Sequence, residues 1–237
     1  MKPNRGISLT PEQVGELMPP IITEVLALSP ERVQYWIGRK RKLAAEIRQV
    51  LAHAASGASE LLTNWQNFYV DVFGLNPDFS NLRIPEKREG FDRLIVIAQG
   101  MTPNKLYAKC VELFPSWRYT DNLDLIISDR KADHDYAIWV RDRVEADEEL
   151  KNKSANTLKE DGVVAITLEE RLLYELKFFE ETGKHLDISN WTLCAGSRDP
   201  NGNVPSVCWS SVYGNLYVDW CSPDERGGGI RGRAAVL

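Results

Sequence analysis

The stretch that decides the fold is the C-terminal run Ile188–Leu237, ISNWTLCAGSRDPNGNVPSVCWSSVYGNLYVDWCSPDERGGGIRGRAAVL. Two pieces of it alternate with a period of two residues, the mark of a strand with one packed face. In the first, Val207 and Trp209 point one way, and Ser206, Cys208 and Ser210 the other. In the second, Leu216, Val218 and Trp220 share a face opposite Asn215, Tyr217, Asp219 and Cys221. The outward set has no Lys, Gln or Met and returns to Ser, Tyr, Asn, Asp, Cys and Gly. An ordinary solvated face would be rich in Lys and Glu, so the composition reads as a display surface.

Upstream, the same half of the chain reads as a strand over 136–141, a helix over about 150–160, and a helix over 167–182. Thr167 with Glu170 makes a capping box for the last of these, and Gly183 is its C-terminal stop. Leu168, Leu172, Leu176 and Phe179 form its buried stripe. Further strands follow near 191–194, 205–210, 216–221 and 230–236. The acidic cluster Glu145, Asp147, Glu148 and Glu149 has no His at ligand spacing, so it reads as carboxylates at a helix start rather than a metal site.

Residues 1–130 read differently. Thr10 with Gln13, then Pro11, opens a short helix that Pro19-Pro20 closes. Ser29 caps a longer helix carrying Val33, Trp36, Ile37, Leu43, Ile47, Val50 and Leu51, with the basic run Arg39-Lys40-Arg41-Lys42 and Arg48 on it. Such a run on an amphipathic helix is ordinarily a solvated face. After a break at 54–59, Leu61, Leu62, Trp65, Phe68, Tyr69 and Val72 make an apolar helical stripe. Leu94 to Ala98 is a buried-type strand, Thr102-Pro103 starts a helix to about Leu113, and Leu123 to Ile127 is a further strand candidate. Tyr107, Trp117 and Tyr119 read as packing residues. Gly100 between strand and helix is too little for a phosphate cradle.

The 237 residues suffice for one large or two small domains, at 43% apolar and 27% charged residues with a formal net charge of -5. That balance argues against a nucleic-acid binder. No apolar run approaches the ~20 residues of a membrane span, and MKPNRGISLTPEQ lacks the apolar core of a signal peptide, so a cytoplasmic location is expected. Cys110, Cys194, Cys208 and Cys221 show no C-x-x-C spacing and read as reduced thiols.

The order of elements resembles the C-type lectin fold. The pattern W-T-L-C-A-G-S-R, then V-P-S-V-x-W, L-Y-V-D-W and G-I-R-G-R-A-A-V over roughly residues 136–237 resembles the variable proteins of diversity-generating retroelements. In that family a reverse transcriptase rewrites the 3′ end of the gene by mutating adenines copied from a template repeat. AAC and AAT codons then diversify to Ser, Gly, Asp, Tyr, Cys and Arg but not to Lys, Glu, Gln, Met or Trp. Gly227-Gly228-Gly229 fits that menu; Glu225 does not and would be invariant.

The chain as a whole reads as α+β, and the resemblance leaves its N-terminal 130 residues unexplained. A mostly helical N-terminal region with a small α/β part (1–130) precedes a lectin-like domain (131–237) of short antiparallel strands and two helices. The implied variable, ligand-binding surface lies at about 203–229: Asn203, Ser206, Cys208, Ser210, Ser211, Tyr213, Asn215, Tyr217, Asp219, Cys221, Ser222, Asp224, Arg226 and the glycines 227–229. Trp191, Trp209, Trp220, Arg231 and Arg233, with Leu193, Pro205, Val207, Leu216, Val218, Ile230 and Val236, would be scaffold. Binding of a protein ligand without catalysis, cofactor or metal is expected, with Tyr213 and Tyr217 as anchors.

Two other readings stay open. A hydrolase or transferase would take a base from His134 beside Asp133 and Asp135, or from His185 with Asp187, and a nucleophile from Cys194 or Cys208; formylglycine-generating enzymes share the lectin-like fold and use paired cysteines, which Cys208 and Cys221 would imitate. An accessory protein binding nucleic acid through Arg39 to Arg48 would lose affinity steeply with salt.

Overall fold

The computed structural model describes residue 23, residues 29–37, residue 39 and residues 60–237. The chain divides into two units, Met1–Gly57 and Ala58–Leu237. In the first, helix α1 spans Pro30–Ile37, with proline in the first turn and the Val33 N–H donating to the Ser29 carbonyl at 3.1 Å. The Thr10 capping box, the Pro19-Pro20 stop and the basic residues Lys40, Arg41, Lys42 and Arg48 lie outside the described residues.

The second unit is mixed α+β. Its first helix, α2, runs over residues 60–73 and buries Trp65, Phe68 and Tyr69 of the expected stripe, with Leu62 and Val72 half-buried and Leu61, in the first turn, exposed. Strand β1 (Arg93–Ile97) pairs antiparallel with β4 (Tyr136–Val140), so the core crosses the boundary expected near residue 130. The Tyr69 hydroxyl ties α2 to β1, donating to the Val96 carbonyl at 2.8 Å and accepting from the Ala98 N–H at 2.9 Å. Helix α3 (Pro103–Leu113) starts as expected, with Thr102 as its N-cap.

Leu123 to Ile127 is not one strand. A 3-10 turn covers Leu123–Leu125, capped by Asn122, and β3 is only Ile127–Ser128. The carboxylates at 145–149 do not open a long helix either. They surround a 3-10 turn, Glu148–Leu150, and helix α4 begins later, at Ala155–Glu160, with Ser154 as its cap. Asp147 is spent on Arg141 (2.5 Å) and the Ala234 N–H (2.8 Å), and Glu149 on Arg143 (2.7 Å).

Helix α5 (Leu168–Thr182) has the full Thr167–Glu170 capping box and ends at Gly183 in the left-handed region, φ 64°. It is buried nearly all round through Lys177, so its charges need internal partners.

Strands β2 (Ser116–Arg118), β5 (Trp191–Leu193), β7 (Val204–Ser210), β8 (Asn215–Cys221) and β9 (Ile230–Gly232) form one sheet in the order β2-β8-β7-β5-β9. The β8-β7-β5 centre is antiparallel, but both edges, β2 on β8 and β9 on β5, are parallel. The sheet is thus mixed where antiparallel pairing was expected, because β2 arrives from far upstream. Strand β6 (Ser197–Arg198) pairs with β3. Beyond Gly232 the expected strand to 236 becomes isolated bridges, Ala165 to Ala234 and Trp139 to Val236.

Val207, Leu216 and Val218 point from the sheet into the main core. The other face is covered at one end only. There Leu193, Val204 and Cys221 meet Leu150, Ala155 and Leu158 in a second, smaller core. Gly232 belongs to this contact: a Cβ on it would come within 2.8 Å of Leu158 Cδ1.

Candidate ligand-binding surface

The uncovered end of that second face is the candidate site. Register places Cys208 beside Tyr217, Ser206 beside Asp219, Ser210 beside Asn215 and, on the edge strand, Trp117 beside Tyr217. Strand alternation puts these side chains together, facing away from the main core. Tyr217 is the hub of an aromatic group. Its ring lies 5.4 Å from Trp117, 6.1 Å from Tyr213 and 6.3 Å from Trp191, between centroids. Trp117 is 43% exposed and Tyr213 74% exposed, so much of this ring surface meets solvent.

A cleft of about 410 Å³ opens here, bounded by residues 188–191, 208–213, Tyr217 and Asp219. Its wall at 188–190 is pinned from behind by Glu145, whose Oε1 accepts the N–H groups of Ile188 (3.2 Å) and Ser189 (3.0 Å) while Oε2 accepts from the Asn190 amide at 2.5 Å. Trp191 is fixed at the far side by its N–H bond to the Gly229 carbonyl, 2.7 Å, where the glycine loop rejoins the sheet.

Of the residues expected on the variable surface, Cys208, Ser210, Ser211, Tyr213, Tyr217 and Asp219 line this cleft, and Asn215 sits on the same face. Ser222, Asp224, Arg226, Gly228 and Gly229 are exposed on the loop after β8, with Gly227 half-buried. Asn203 lies at the other end of β7, bonded to Asp199 through its N–H (2.9 Å) and its amide (3.1 Å).

Several expectations about exposure are corrected. Ser206, Cys208 and Cys221 are buried, each at 5% exposure. Cys221 lies on the outward face but under the second core, its Sγ against the Val204 carbonyl at 3.8 Å. Trp220 is on the inward face yet 48% exposed, because β8 there runs beyond the last paired residue of β2, Arg118. Trp117, expected to pack, is part of the exposed aromatic group, and Ile188, Ser189, Asn190 and Val212 join the cleft without having been expected there. Only the parallel pairing of residue 117 with 217 could reveal the first, and nothing in local alternation encodes it.

Behind the sheet, the scaffold arginine Arg233 joins a fully buried ion network. Asp187 Oδ1 accepts from Arg233 Nη2 at 2.8 Å, and Oδ2 from Arg171 Nε at 2.9 Å and from the Thr192 hydroxyl. Arg171 also donates to Glu175 at 2.8 Å, and Arg233 to the carbonyls of Arg143 (3.0 Å) and Val144 (2.7 Å). Arg231 instead pairs with Glu148. Trp209 packs inward under the cleft, its N–H bonded to the Asp187 carbonyl at 3.0 Å.

The groups for thiol or acid–base chemistry are not brought together. His185 Nδ1 faces Glu175 at 2.8 Å rather than Asp187. His134 lies on the surface beside Asp133, both more than 70% exposed. Cys194 is fully buried, and burial pushes its thiol up. The thiols of Cys208 and Cys221 are pushed up to about 12, also chiefly by burial, so they stay protonated at neutral pH. Among the described residues no group of three or more His, Cys, Asp or Glu could hold a metal ion, and no helix is long and apolar enough to cross a membrane. No family model, curated protein or solved structure matches the chain.

Proposed function

We propose that this chain is a non-catalytic binding protein that presents the uncovered end of its five-stranded sheet, and the adjoining glycine loop, to a protein ligand. The observation that carries the reading is the division of labour within single strands. Val207, Leu216 and Val218 are fully buried in the core, while their neighbours Tyr217, Asp219 and Ser210 line an open cleft. Side chains on the open face change without disturbing the packed one, which a diversified surface requires.

The glycine loop supports the same reading. A Cβ on Gly228 or Gly229 would meet nothing within 4 Å, and neither needs a left-handed backbone. The order strand, helix, helix and then the β5–β9 strands supports a lectin-like architecture for the C-terminal part. With the residue types on the open face, it supports diversification of that face by a retroelement. The low thiolate content of Cys208 and Cys221 weighs against a thiol enzyme on the same architecture.

A library tests the binding reading. Randomising Ser210, Tyr213, Asn215, Tyr217, Asp219 and Gly228 together yields chains that mostly stay folded, and selection against an arbitrary folded protein recovers binders. Randomising Val207, Leu216 and Val218 to polar residues destroys the fold in nearly every clone. Equal loss of folding in both libraries contradicts the proposal.

A further inference from the structure

We propose that the cleft at Tyr217 receives a basic side chain of the partner protein, an arginine stacked on the exposed rings with its charge toward Asp219. This rests on the binding reading above and names the chemistry that the surface selects.

Charge complementarity is the first argument. Among the described residues Asp219 is the one charged side chain lining the cleft, and no Lys or Arg lines it. Asp219 has no ion-pair partner among the described residues, and one of its oxygens accepts only the Trp220 N–H, at 2.9 Å. A second carboxylate, Glu145, stands directly behind the 188–190 wall. An anionic ligand would meet the Asp219 charge, which no cation among the described residues offsets, and a neutral one would leave it unanswered.

Ring geometry is the second argument. Tyr213 and Trp191, which line the cleft with Tyr217, stand tilted 61° and 57° to the Tyr217 ring rather than stacking flat on it. Aromatic faces grouped in this way attract cations through the ring quadrupole, and a planar guanidinium also stacks on them. Elsewhere the chain fills such positions itself: Arg118 lies 4.8 Å from the Tyr107 centroid and Arg141 4.3 Å from Phe91. Among the described residues no cation lies over Trp117, Tyr213, Tyr217 or Trp191, so these rings are left for a cation from outside.

Hydrogen-bonding polarity is the third. Near the cleft Asn190 Oδ1 and Asn215 Oδ1 are buried acceptors without a partner, and the Tyr119 hydroxyl, just past β2, is a buried donor without one. The Asn190 amide nitrogen is committed to Glu145, which fixes the direction of its oxygen. Asp219 is the carboxylate acceptor lining the cleft, and it suits guanidinium, which carries five N–H donors and no acceptor.

The test uses the full chain labelled with 15N and the probe Nα-acetyl-L-arginine methylamide, set against its neutral isostere, the corresponding citrulline derivative. The indole signals of Trp191, which lines the cleft, and of Trp117, whose ring packs beside Tyr217, report the site and are assigned by Trp→Phe variants; Trp65 and Trp139, buried in the core, report the fold. Arginine shifts the first pair saturably and leaves the second pair still. Citrulline binds at least tenfold more weakly, and Asp219→Asn weakens arginine at least fivefold with the core signals unchanged. Equal binding of arginine and citrulline, shifts confined to other indoles, or no saturable shift overturns the proposal. If arginine fails while library binders still engage Tyr213 and Tyr217, the cation assignment falls and the binding reading stands; if those binders fail too, both fall.

Discussion

The imidazole of His185 lies flat on the indole of Trp209, ring centroids 3.3 Å apart and planes 4° from parallel. That stack joins the floor of the sheet to the buried ion network, since His185 Nδ1 meets Glu175 and Glu175 meets Arg171. Arg171 and Arg233 are offset by Glu175 and Asp187, so the cluster carries balanced charge only while every member is present.

Removing Asp187 therefore leaves the buried Arg233 without a carboxylate and Arg171 with Glu175 alone. Asp187→Ala is expected to cost about 3–5 kcal/mol, the usual penalty for breaking a buried pair from one side. Asp133→Ala, on an exposed carboxylate, changes stability by less than about 0.5 kcal/mol. Urea midpoints of the two variants check this; equal midpoints contradict the structural role of the network.

Glycines divide in the same manner. Gly228→Asn and Gly228→Tyr are expected within about 0.5 kcal/mol of the parent, because the added side chain enters open space. Gly196→Ala places its Cβ 2.8 Å from the Ala165 carbonyl oxygen, a backbone atom that cannot swing aside, and costs about 1–3 kcal/mol. Thermal melts rank the variants, and a loss at Gly228 as large as at Gly196 contradicts the account.

Thiol chemistry gives a third check. With Cys208 and Cys221 pushed up to about 12, chiefly by burial, the folded chain at pH 8 holds far less thiolate at each than a free cysteine does. Iodoacetamide labelling at pH 8 should be slow in the native state and fast in denaturant. Rapid native labelling of either residue would favour the enzyme reading.

Stability near neutral pH carries a signature of Glu169. Burial outweighs the hydrogen bond from the Ser128 hydroxyl (2.7 Å) and raises this carboxyl above its ordinary 4.5. Between the ordinary and raised values the native chain holds a proton that the unfolded chain releases, so stability falls as pH rises through that window. Glu169→Gln keeps the volume and an acceptor for Ser128. Its melting temperature should exceed the parent's at pH 7, with the difference closing as pH falls toward the ordinary carboxylate range. A difference that is negative at pH 7, or independent of pH, contradicts the assignment.

Local signals carried much of the architecture. Thr167, Glu170 and Gly183 mark both ends of α5, and alternation identifies β7 and β8 and the buried set Val207, Leu216 and Val218. Contacts between distant segments did not show. Cys221 has the outward parity of Tyr217, but α4 folds over its end of the sheet; parity reports a face, and only tertiary packing decides whether the face is wet. Trp117 is the reverse case, since its three-residue strand is too short for any periodicity and acquires its place from β8. The 3-10 turn at Leu123–Leu125 arises because Asn122 caps it locally, a competition that an apolar count does not register.

The most direct measurement is the DNA sequence immediately downstream of the gene. The account predicts a near-copy of the last hundred or so coding bases, close to a reverse transcriptase gene, in which adenines replace bases in the codons for cleft and loop positions such as Ser210, Tyr213, Tyr217, Asp219 and Gly228. The codons for Val207, Leu216 and Val218 should match without change. No repeat, or a repeat whose differences fall on those three core codons as often as on the cleft, would contradict the claim that this face is a diversified binding surface.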